Sequence, residues 1–190
     1  MKNLILVLIL LAFPAVASAQ DAAAGKEKAA VCGACHGPDG NSTDPQYPII
    51  AGQNARYIYL QLRDFKEKRR KDPLMSPMAA NLSKKDMLDL AAYYSAQKST
   101  RENAKGDPGK IDEGRKIADA ALCPMCHLGG FSGQNEVPKV AGQHFDYIKK
   151  QLLAFKNRTR TNDAGSMTAY MSNVTEAQIE ALAAYVASLN

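Results

Sequence analysis

The 190-residue sequence predicts two all-α domains arranged in tandem. Three observations predict this fold class: the second half of the chain repeats motifs of the first, apolar residues recur at helical spacing in both halves, and a polar segment separates the halves. No convincing alternation of polar and apolar residues, the pattern typical of a β-strand, is visible.

The internal repeat consists of sequence blocks that occur twice, in the same order, at an offset of about 90 residues. The paired blocks are CGACH (32–36) with CPMCH (123–127), PIIAGQ (48–53) with PKVAGQ (138–143), YIYLQLRDFK (57–66) with YIKKQLLAFK (147–156), and LAAY (90–93) with LAAY (182–185). Because order and spacing are kept to within two residues, we interpret the chain as a tandem duplication of a unit of about 80 residues.

Two helices are predicted in each half. The residues matched between 57–66 and 147–156 recur at i, i+4 and i+8, which places them on one face of a helix. A final helix is expected to start at Thr175, where Gln178 completes a capping box, and at Ser83, where Asp86 gives a close relative of that motif.

Composition sets the predicted domain boundaries. Residues 98–110 are polar and poor in apolar side chains, as inter-domain linkers are. We therefore predict an N-terminal domain at 20–97 and a C-terminal domain at 111–190. Domains of this size bury a small core and often need a further stabilising element.

The first nineteen residues are predicted to be a secretory signal peptide. Lys2 precedes the apolar run 4–13, and Ala17 and Ala19 provide the small residues of a cleavage site after Ala19. The run is shorter than the roughly 20 apolar residues that span a bilayer. An uncleaved N-terminal anchor is the alternative. Export would place all the cysteines outside the reducing cytosol.

Charge and composition exclude several classes of protein. The chain has 24 Lys+Arg and 19 Asp+Glu, a formal net charge of +5, and 46% hydrophobic residues, which excludes a disordered chain or a polytopic membrane protein. So small an excess gives no indication of a nucleic-acid partner. The basic run Lys66 to Lys71 fits a docking patch for an acidic partner or an anionic membrane, or the solvated end of a helix, where cations are favoured.

The two C-x-x-C-H motifs have the spacing by which haem c is attached. Two thiols one helical turn apart meet the two vinyl groups of the porphyrin, and the adjacent histidine binds the iron. The sequence therefore predicts two covalently bound haem c groups. Cys32, Cys35, Cys123 and Cys126 are the predicted attachment residues, and His36 and His127 are the predicted iron ligands.

Three other kinds of site fit the motifs less well. A redox pair is expected near a βαβ pattern, and a four-cysteine zinc site needs its second pair about 15–20 residues after the first, whereas Cys123 lies far beyond Cys35. Structural disulfides would not require a histidine after both pairs.

The sixth iron ligand is predicted to be a methionine in each half. His144, the only other histidine, is matched by Asn54 and cannot serve both halves. When residues 82–83 are aligned with 174–175, Met75 falls on Met167, which gives the His/Met pair of electron-transfer cytochromes. Met78 and Met171 are the alternative ligands, and together with Met87 they are otherwise expected to pack in the core.

The prolines at the start of the PxxAGQ blocks are candidates for contacts to the histidine ligands. A ligating histidine usually donates its other N–H to a carbonyl or carboxylate. The Pro48 and Pro138 carbonyls are expected to accept these hydrogen bonds, with a rigid loop turn as the alternative role.

At these motifs the sequence resembles the cytochrome c4 family. The resemblance rests on two attachment motifs, the paired PxxAGQ blocks, a methionine before Leu82-Ser83, and LAAYY at 90–94, and it covers essentially the whole mature chain. Val174-Thr175 departs mildly from the family's usual Leu-Ser.

The resemblance implies two class I cytochrome c folds related by a pseudo-twofold, each wrapped around a covalent haem. It implies a periplasmic dihaem carrier that takes electrons from the cytochrome bc complex or a similar donor towards a terminal oxidase, with loose membrane association. In that family the iron methionines occupy the positions of Met75 and Met167. We expect a monomer.

A dihaem enzyme with one open haem, a peroxidase or a sulfur-compound dehydrogenase, is the alternative function. Such an enzyme needs a missing or displaceable sixth ligand, or a cysteine ligand. The chain has only four cysteines and a matched methionine in both halves, so we expect an electron carrier and not an enzyme. A haem-bearing subunit of a membrane oxidase is a third possibility.

Overall fold

The computed structural model describes residues 20–100 and 107–189. The predicted signal peptide at 1–19 and residues 101–106 of the predicted linker lie outside the described residues. The first helices are α1 (Ala22–Lys28), α2 (Gly33–His36), α3 (Ala55–Lys66), α4 (Met75–Ala80) and α5 (Lys84–Ser95). The later helices are α6 (Pro108–Ala120), α7 (Cys123–His127), α8 (Phe145–Lys156), α9 (Ser166–Met171) and α10 (Glu176–Ser188). Short 3₁₀ turns at Ala29–Val31 and Gly129–Phe131 adjoin α2 and α7.

The helices pack in the same way in both halves. In the first half α1 packs on α5, and α3 packs on α4 and α5. In the second half α6 packs on α10, and α8 packs on α9 and α10. Across the part of the chain that the structure describes there is no β-strand, only one isolated bridge between Gln134 and Val137. The predicted all-α class is confirmed.

Both predicted caps are reciprocal capping boxes. Ser83 Oγ accepts from Asp86 N at 3.1 Å while Asp86 Oδ2 accepts from Ser83 N at 2.8 Å. Thr175 Oγ1 accepts from Gln178 N at 3.3 Å while Gln178 Oε1 accepts from Thr175 N at 2.9 Å. Each box satisfies two N–H groups that a helix start otherwise leaves unpaired. The helix starts predicted from sequence are confirmed.

Each described end of the predicted linker is held by the domain next to it. Asn41 Nδ2 donates to Lys98 O at 3.0 Å, and Asn41 Oδ1 accepts from Thr100 N at 2.9 Å. At the other end α6 already begins at Pro108, with the Asp107 side chain accepting from Gly109 N at 2.8 Å. Proline suits this first helical position because its missing N–H would be unpaired there.

A pair of glycines allows the first and last helices of each domain to approach closely. A Cβ at Gly25 would lie 2.1 Å from Asp89 O, and a Cβ at Gly114 would lie 2.0 Å from Ala181 O. Both distances are shorter than any side chain permits, so only glycine fits these crossings. Gly25 and Gly114 lie outside the repeated sequence blocks, so the repeat gave no sign of these close crossings.

Two glutamines form matching contacts between the domains. Gln53 Nε2 donates to Lys139 O at 2.7 Å, and Gln53 Oε1 accepts from Lys139 N at 2.8 Å. In the opposite direction Gln143 Nε2 donates to Ile49 O at 2.8 Å, and Gln143 Oε1 accepts from Ile49 N at 2.9 Å. This exchange of equivalent contacts shows the pseudo-twofold relation between the domains.

In residues 20–100 and 107–189, no helix combines the length and the apolar character that crossing a bilayer requires.

Candidate functional site

The four cysteines belong to the two C-x-x-C-H motifs, which form the short helices α2 and α7. Cys32 is the N-cap of α2 and Cys123 is the first residue of α7. Both are half-buried, Cys35 and Cys126 are exposed, and the four thiols are not joined in disulfides. Burial raises the pKa of the Cys32 and Cys123 thiols above its ordinary value.

The two motif histidines bind the carbonyls predicted for them. His36 Nδ1 lies 2.9 Å from Pro48 O, and His127 Nδ1 lies 3.0 Å from Pro138 O. A carbonyl oxygen only accepts, so Nδ1 carries the proton and Nε2 keeps its lone pair in both rings. The expectation for Pro48 and Pro138 is confirmed, and each imidazole is held in the tautomer that binds a metal through Nε2.

Burial also favours the neutral form of these histidines. It lowers the pKa of His36 and of His127, against the smaller opposing effect of the proline carbonyl. Aromatic rings lie beside both imidazoles: Tyr47 lies edge-on at 6.4 Å from His36, and Phe131 stacks at 6.2 Å from His127. The neutral imidazole is the form that ligates iron.

The two predicted methionine ligands begin short helices and are half-buried. Met75 is the first residue of α4, where its N–H donates to Asp72 Oδ1 at 3.0 Å. Met167 is the second residue of α9, and the following residue, Thr168, donates its N–H to Asp163 Oδ2 at 2.6 Å. An aspartate therefore fixes the backbone beside each methionine, a role that the sequence pattern did not reveal.

The other methionines lie in different surroundings. Met87 and Met171 are 4% and 5% exposed and pack in the cores, as expected. Met78 is 49% exposed, so the prediction that it packs in the core is wrong. Position 78 lies on the outer side of α4, while Ala79 next to it is buried. Met125, within the second attachment motif, is 72% exposed.

The C-terminal core brings an attachment cysteine and the predicted methionine to the same cluster. Cys123 and Met167 both pack against buried residues that include Phe131 and Leu182. In the N-terminal domain Cys32 packs against the corresponding cluster. The third histidine, His144, lies elsewhere: its Nε2 donates across the domain interface to Ser42 O at 3.0 Å.

Only one side chain of the basic run at 66–71 is buried. Arg70 is 7% exposed, whereas the other residues of the run are exposed. Two of the exposed side chains make contacts within the domain: Lys66 Nζ donates to Leu82 O at 2.6 Å, and Arg69 Nε donates to Asp64 Oδ1 at 2.9 Å. Half of the run therefore makes contacts within the fold, which favours neither a continuous docking patch nor a purely solvated helix end.

These donors fit a covalently attached haem in each domain. Each domain provides two thiols one helical turn apart and an imidazole with Nε2 available to a metal. By contrast, residues 20–100 and 107–189 contain no cluster of three His, Cys, Asp or Glu side chains that would hold a bare metal ion. The chemistry of the donor set thus matches haem c in both domains.

Comparisons with known proteins agree with this chemistry. A family profile described as cytochrome c matches the chain twice, at residues 22–97 and 111–190. Cytochrome c4 of Azotobacter vinelandii is 38% identical over 210 residues, a match that covers 100% of this chain and 99% of that protein. The chain belongs to the cytochrome c4 family.

A solved structure and a further relative are also similar to this chain. The crystal structure of reduced recombinant cytochrome c4 from Pseudomonas stutzeri is similar to this chain with a TM-score of 0.85 and 38% identity, covering 90% of this chain and 100% of that chain. A thiosulfate dehydrogenase electron acceptor of Thiomonas intermedia is 35% identical over 177 residues, covering 87% of this chain and 82% of that protein.

As a member of the cytochrome c4 family, the chain is a dihaem electron carrier that works with redox partners. It has two covalently bound haem c groups, one in each cytochrome c domain. The predicted cofactors are confirmed, as is the fold class of two tandem cytochrome c domains.

Proposed function

We propose that this cytochrome c4-family chain carries electrons between periplasmic or membrane-bound redox partners of a respiratory chain, towards a terminal oxidase. The observation that carries the proposal is the matched donor set of the two domains, including the proline carbonyl that fixes each histidine. Two equivalent sites with a thioether for each iron suit the transfer of electrons better than bond chemistry at one open iron.

The proposal assigns the same four donors in each domain. The assigned residues are Cys32, Cys35, His36 and Met75 in the domain at 20–97, and Cys123, Cys126, His127 and Met167 in the domain at 111–190. The cysteines form thioether bonds, and histidine Nε2 and methionine sulfur bind the iron. The bound haem supplies an iron that alternates between the ferric and ferrous states.

The surrounding residues keep these donors in place during the exchange. The Pro48 and Pro138 carbonyls hold the imidazole orientation by hydrogen bonds of 2.9 and 3.0 Å. Asp72 and Asp163 hold the backbone at the starts of α4 and α9 by hydrogen bonds of 3.0 and 2.6 Å. Donors that stay in place in both oxidation states lower the structural rearrangement that accompanies each electron transfer.

A periplasmic location follows from the proposed signal peptide. Residues 1–19 have the charge, apolar run and small residues of an exported protein cleaved after Ala19. Export also suits the cysteines, because thiols destined for covalent attachment are then outside the reducing cytosol.

A second candidate partner is a thiosulfate dehydrogenase. It is favoured by the similarity to the thiosulfate dehydrogenase electron acceptor of Thiomonas intermedia at 35% identity over 87% of this chain. In that role the chain would still be a carrier of electrons, with a sulfur-oxidising enzyme as the donor.

The mass and ligand reactivity of the isolated chain test the carrier assignment. We expect the intact mass to correspond to a chain that begins at Gln20 and carries two haems, and the reduced protein to bind carbon monoxide slowly and incompletely because a thioether holds each sixth position. A chain in which the four motif cysteines are replaced by alanine is the control. Rapid binding of one equivalent of carbon monoxide would contradict the carrier assignment and favour the enzyme.

Oxygen uptake tests the direction of electron flow. Washed bacterial membranes that retain a cytochrome bc complex and a terminal oxidase should consume oxygen with quinol at least several-fold faster when the haem-loaded chain is added. The cysteine-free chain should have no effect. Unchanged oxygen uptake, combined with rapid reduction of the chain by thiosulfate and a thiosulfate dehydrogenase, would contradict the oxidase assignment and support the second candidate.

A further inference from the structure

Two buried arginines occupy equivalent positions in the domain interface. Arg70 and Arg160 are 7% and 9% exposed and lie at the repeat offset. The Arg70 guanidinium lies 4.6 Å from the ring centroid of Phe65, and the Arg160 guanidinium lies 4.5 Å from that of Phe155. Each guanidinium is therefore stacked on a helix of its own domain, α3 or α8.

Each guanidinium also binds the opposite domain. Arg70 Nη2 donates to Tyr147 Oη at 2.9 Å. Arg160 Nη2 donates to Tyr57 Oη at 3.1 Å. The two contacts are exchanged by the pseudo-twofold, so each arginine is held by both domains at once.

Two glutamines are shared between the arginines. Gln61 Oε1 accepts from Arg70 at 2.8 Å and from Arg160 at 3.2 Å. Gln151 Oε1 accepts from Arg160 at 2.6 Å and from Arg70 at 2.9 Å. Because a glutamine substitution would disturb both guanidiniums, the tyrosine hydroxyls are the more selective contacts. Tyr147 hydrogen-bonds Arg70, and Tyr57 hydrogen-bonds Arg160 but also interacts electrostatically with Arg70.

The hydrogen-bond partners of both guanidiniums are uncharged amides and phenols. A buried charge that loses such a partner retains its desolvation cost. Loss of one of these contacts therefore costs more stability than loss of a hydrogen bond between two neutral groups. The arginine side chains therefore hold the chain segments that contain them at the domain interface.

Those segments lead directly to the predicted methionine ligands. Asp72, two residues after Arg70, accepts from Met75 N at 3.0 Å. Asp163, three residues after Arg160, accepts from Thr168 N at 2.6 Å, next to Met167. Asn162, between Arg160 and Asp163, also crosses the interface and donates to Asp64 Oδ2 at 2.8 Å.

We infer that Arg70 and Arg160 are positioning residues that act across the interface. Each holds the methionine segment of its own domain by binding a tyrosine of the other domain. The docking of the domains and the strength of methionine ligation are consequently coupled, and a change in one domain weakens the ligand of the other. The inference rests on the proposed ligation by Met75 and Met167.

Imidazole competition in the ferric, haem-loaded chain tests this coupling. In a Met167→Ala background the remaining Met–iron charge-transfer absorption reports Met75 alone, and in a Met75→Ala background it reports Met167 alone. Tyr147→Phe should raise the apparent imidazole affinity at the Met75 site about threefold or more, and Tyr57→Phe should do so at the Met167 site. Each tyrosine variant is the control for the other, since both keep the aromatic ring.

The crossed pattern is the decisive result. Equal increases at both sites for Tyr147→Phe would indicate general loosening and overturn the inference, as would no increase at either site for either variant. Persistence of the full absorption in the Met75→Ala and Met167→Ala backgrounds would instead contradict the proposed ligation, so the two failures are distinguishable.

Discussion

Replacing Gly114 by alanine is expected to destabilise the C-terminal domain by at least about 3 kcal/mol, because α6 must move away from α10 to admit the new methyl group. The added Cβ would lie 2.0 Å from Ala181 O and 2.8 Å from Tyr185 Cβ. Neither obstacle is the far end of a flexible side chain, so the clash is relieved only by displacing a helix. Guanidinium unfolding of the haem-loaded chain, followed by circular dichroism, measures the loss.

Gly129 supplies the matched control for this substitution. A Cβ at Gly129 meets nothing within 4 Å, so Gly129→Ala should change stability little. Gly25→Ala should resemble Gly114→Ala but act on the N-terminal domain, where the Cβ would lie 2.1 Å from Asp89 O. If Gly114→Ala and Gly129→Ala unfold at the same denaturant concentration, the close helix crossing does not limit stability.

Replacing Met75 or Met167 by alanine is expected to remove about half of the Met–iron charge-transfer absorption of the ferric protein, and the double variant should remove all of it. The physical reason is that, under the proposed ligation, the iron of the altered domain loses its methionine ligand while the other domain keeps its own. The absorption per haem, measured at equal haem content, gives the fraction of iron that is still bound to methionine.

Other methionines provide the controls for this experiment. Met125→Ala should leave the absorption intact, because that side chain is 72% exposed within the attachment motif. Retention of the full absorption in Met75→Ala, with loss in Met78→Ala, would assign the ligand to the other methionine of α4. The same comparison between Met167 and Met171 decides the ligand of the C-terminal domain.

Features determined by neighbouring residues were predictable from the sequence. The capping boxes at Ser83 and Thr175 depend on residues three positions apart, and both were found. The proline carbonyls that fix His36 and His127 were predictable because the repeat places a proline 12 residues after the first histidine and 11 residues after the second. Because the motif and its following proline occur in both halves, their spacing was recognisable as functional.

Features determined by packing between distant segments were not predictable in this way. Arg70 lies in a basic run, and local charge gave no sign that a tyrosine 77 residues away would bury it. Likewise nothing adjacent to Gly114 in sequence indicates α10. The repeat did contain one signal: Gln61 and Gln151 are polar residues at matched positions of helices whose face is otherwise largely apolar.

The contact between the first and last helices of each domain has a consequence for how such a protein originates. Because α1 packs on α5 and α6 packs on α10, the beginning and the end of each domain lie side by side. A duplicated copy can therefore be joined end to start by a short connection without opening either domain. The geometry of the single domain makes fusion of two copies into one polypeptide sterically simple.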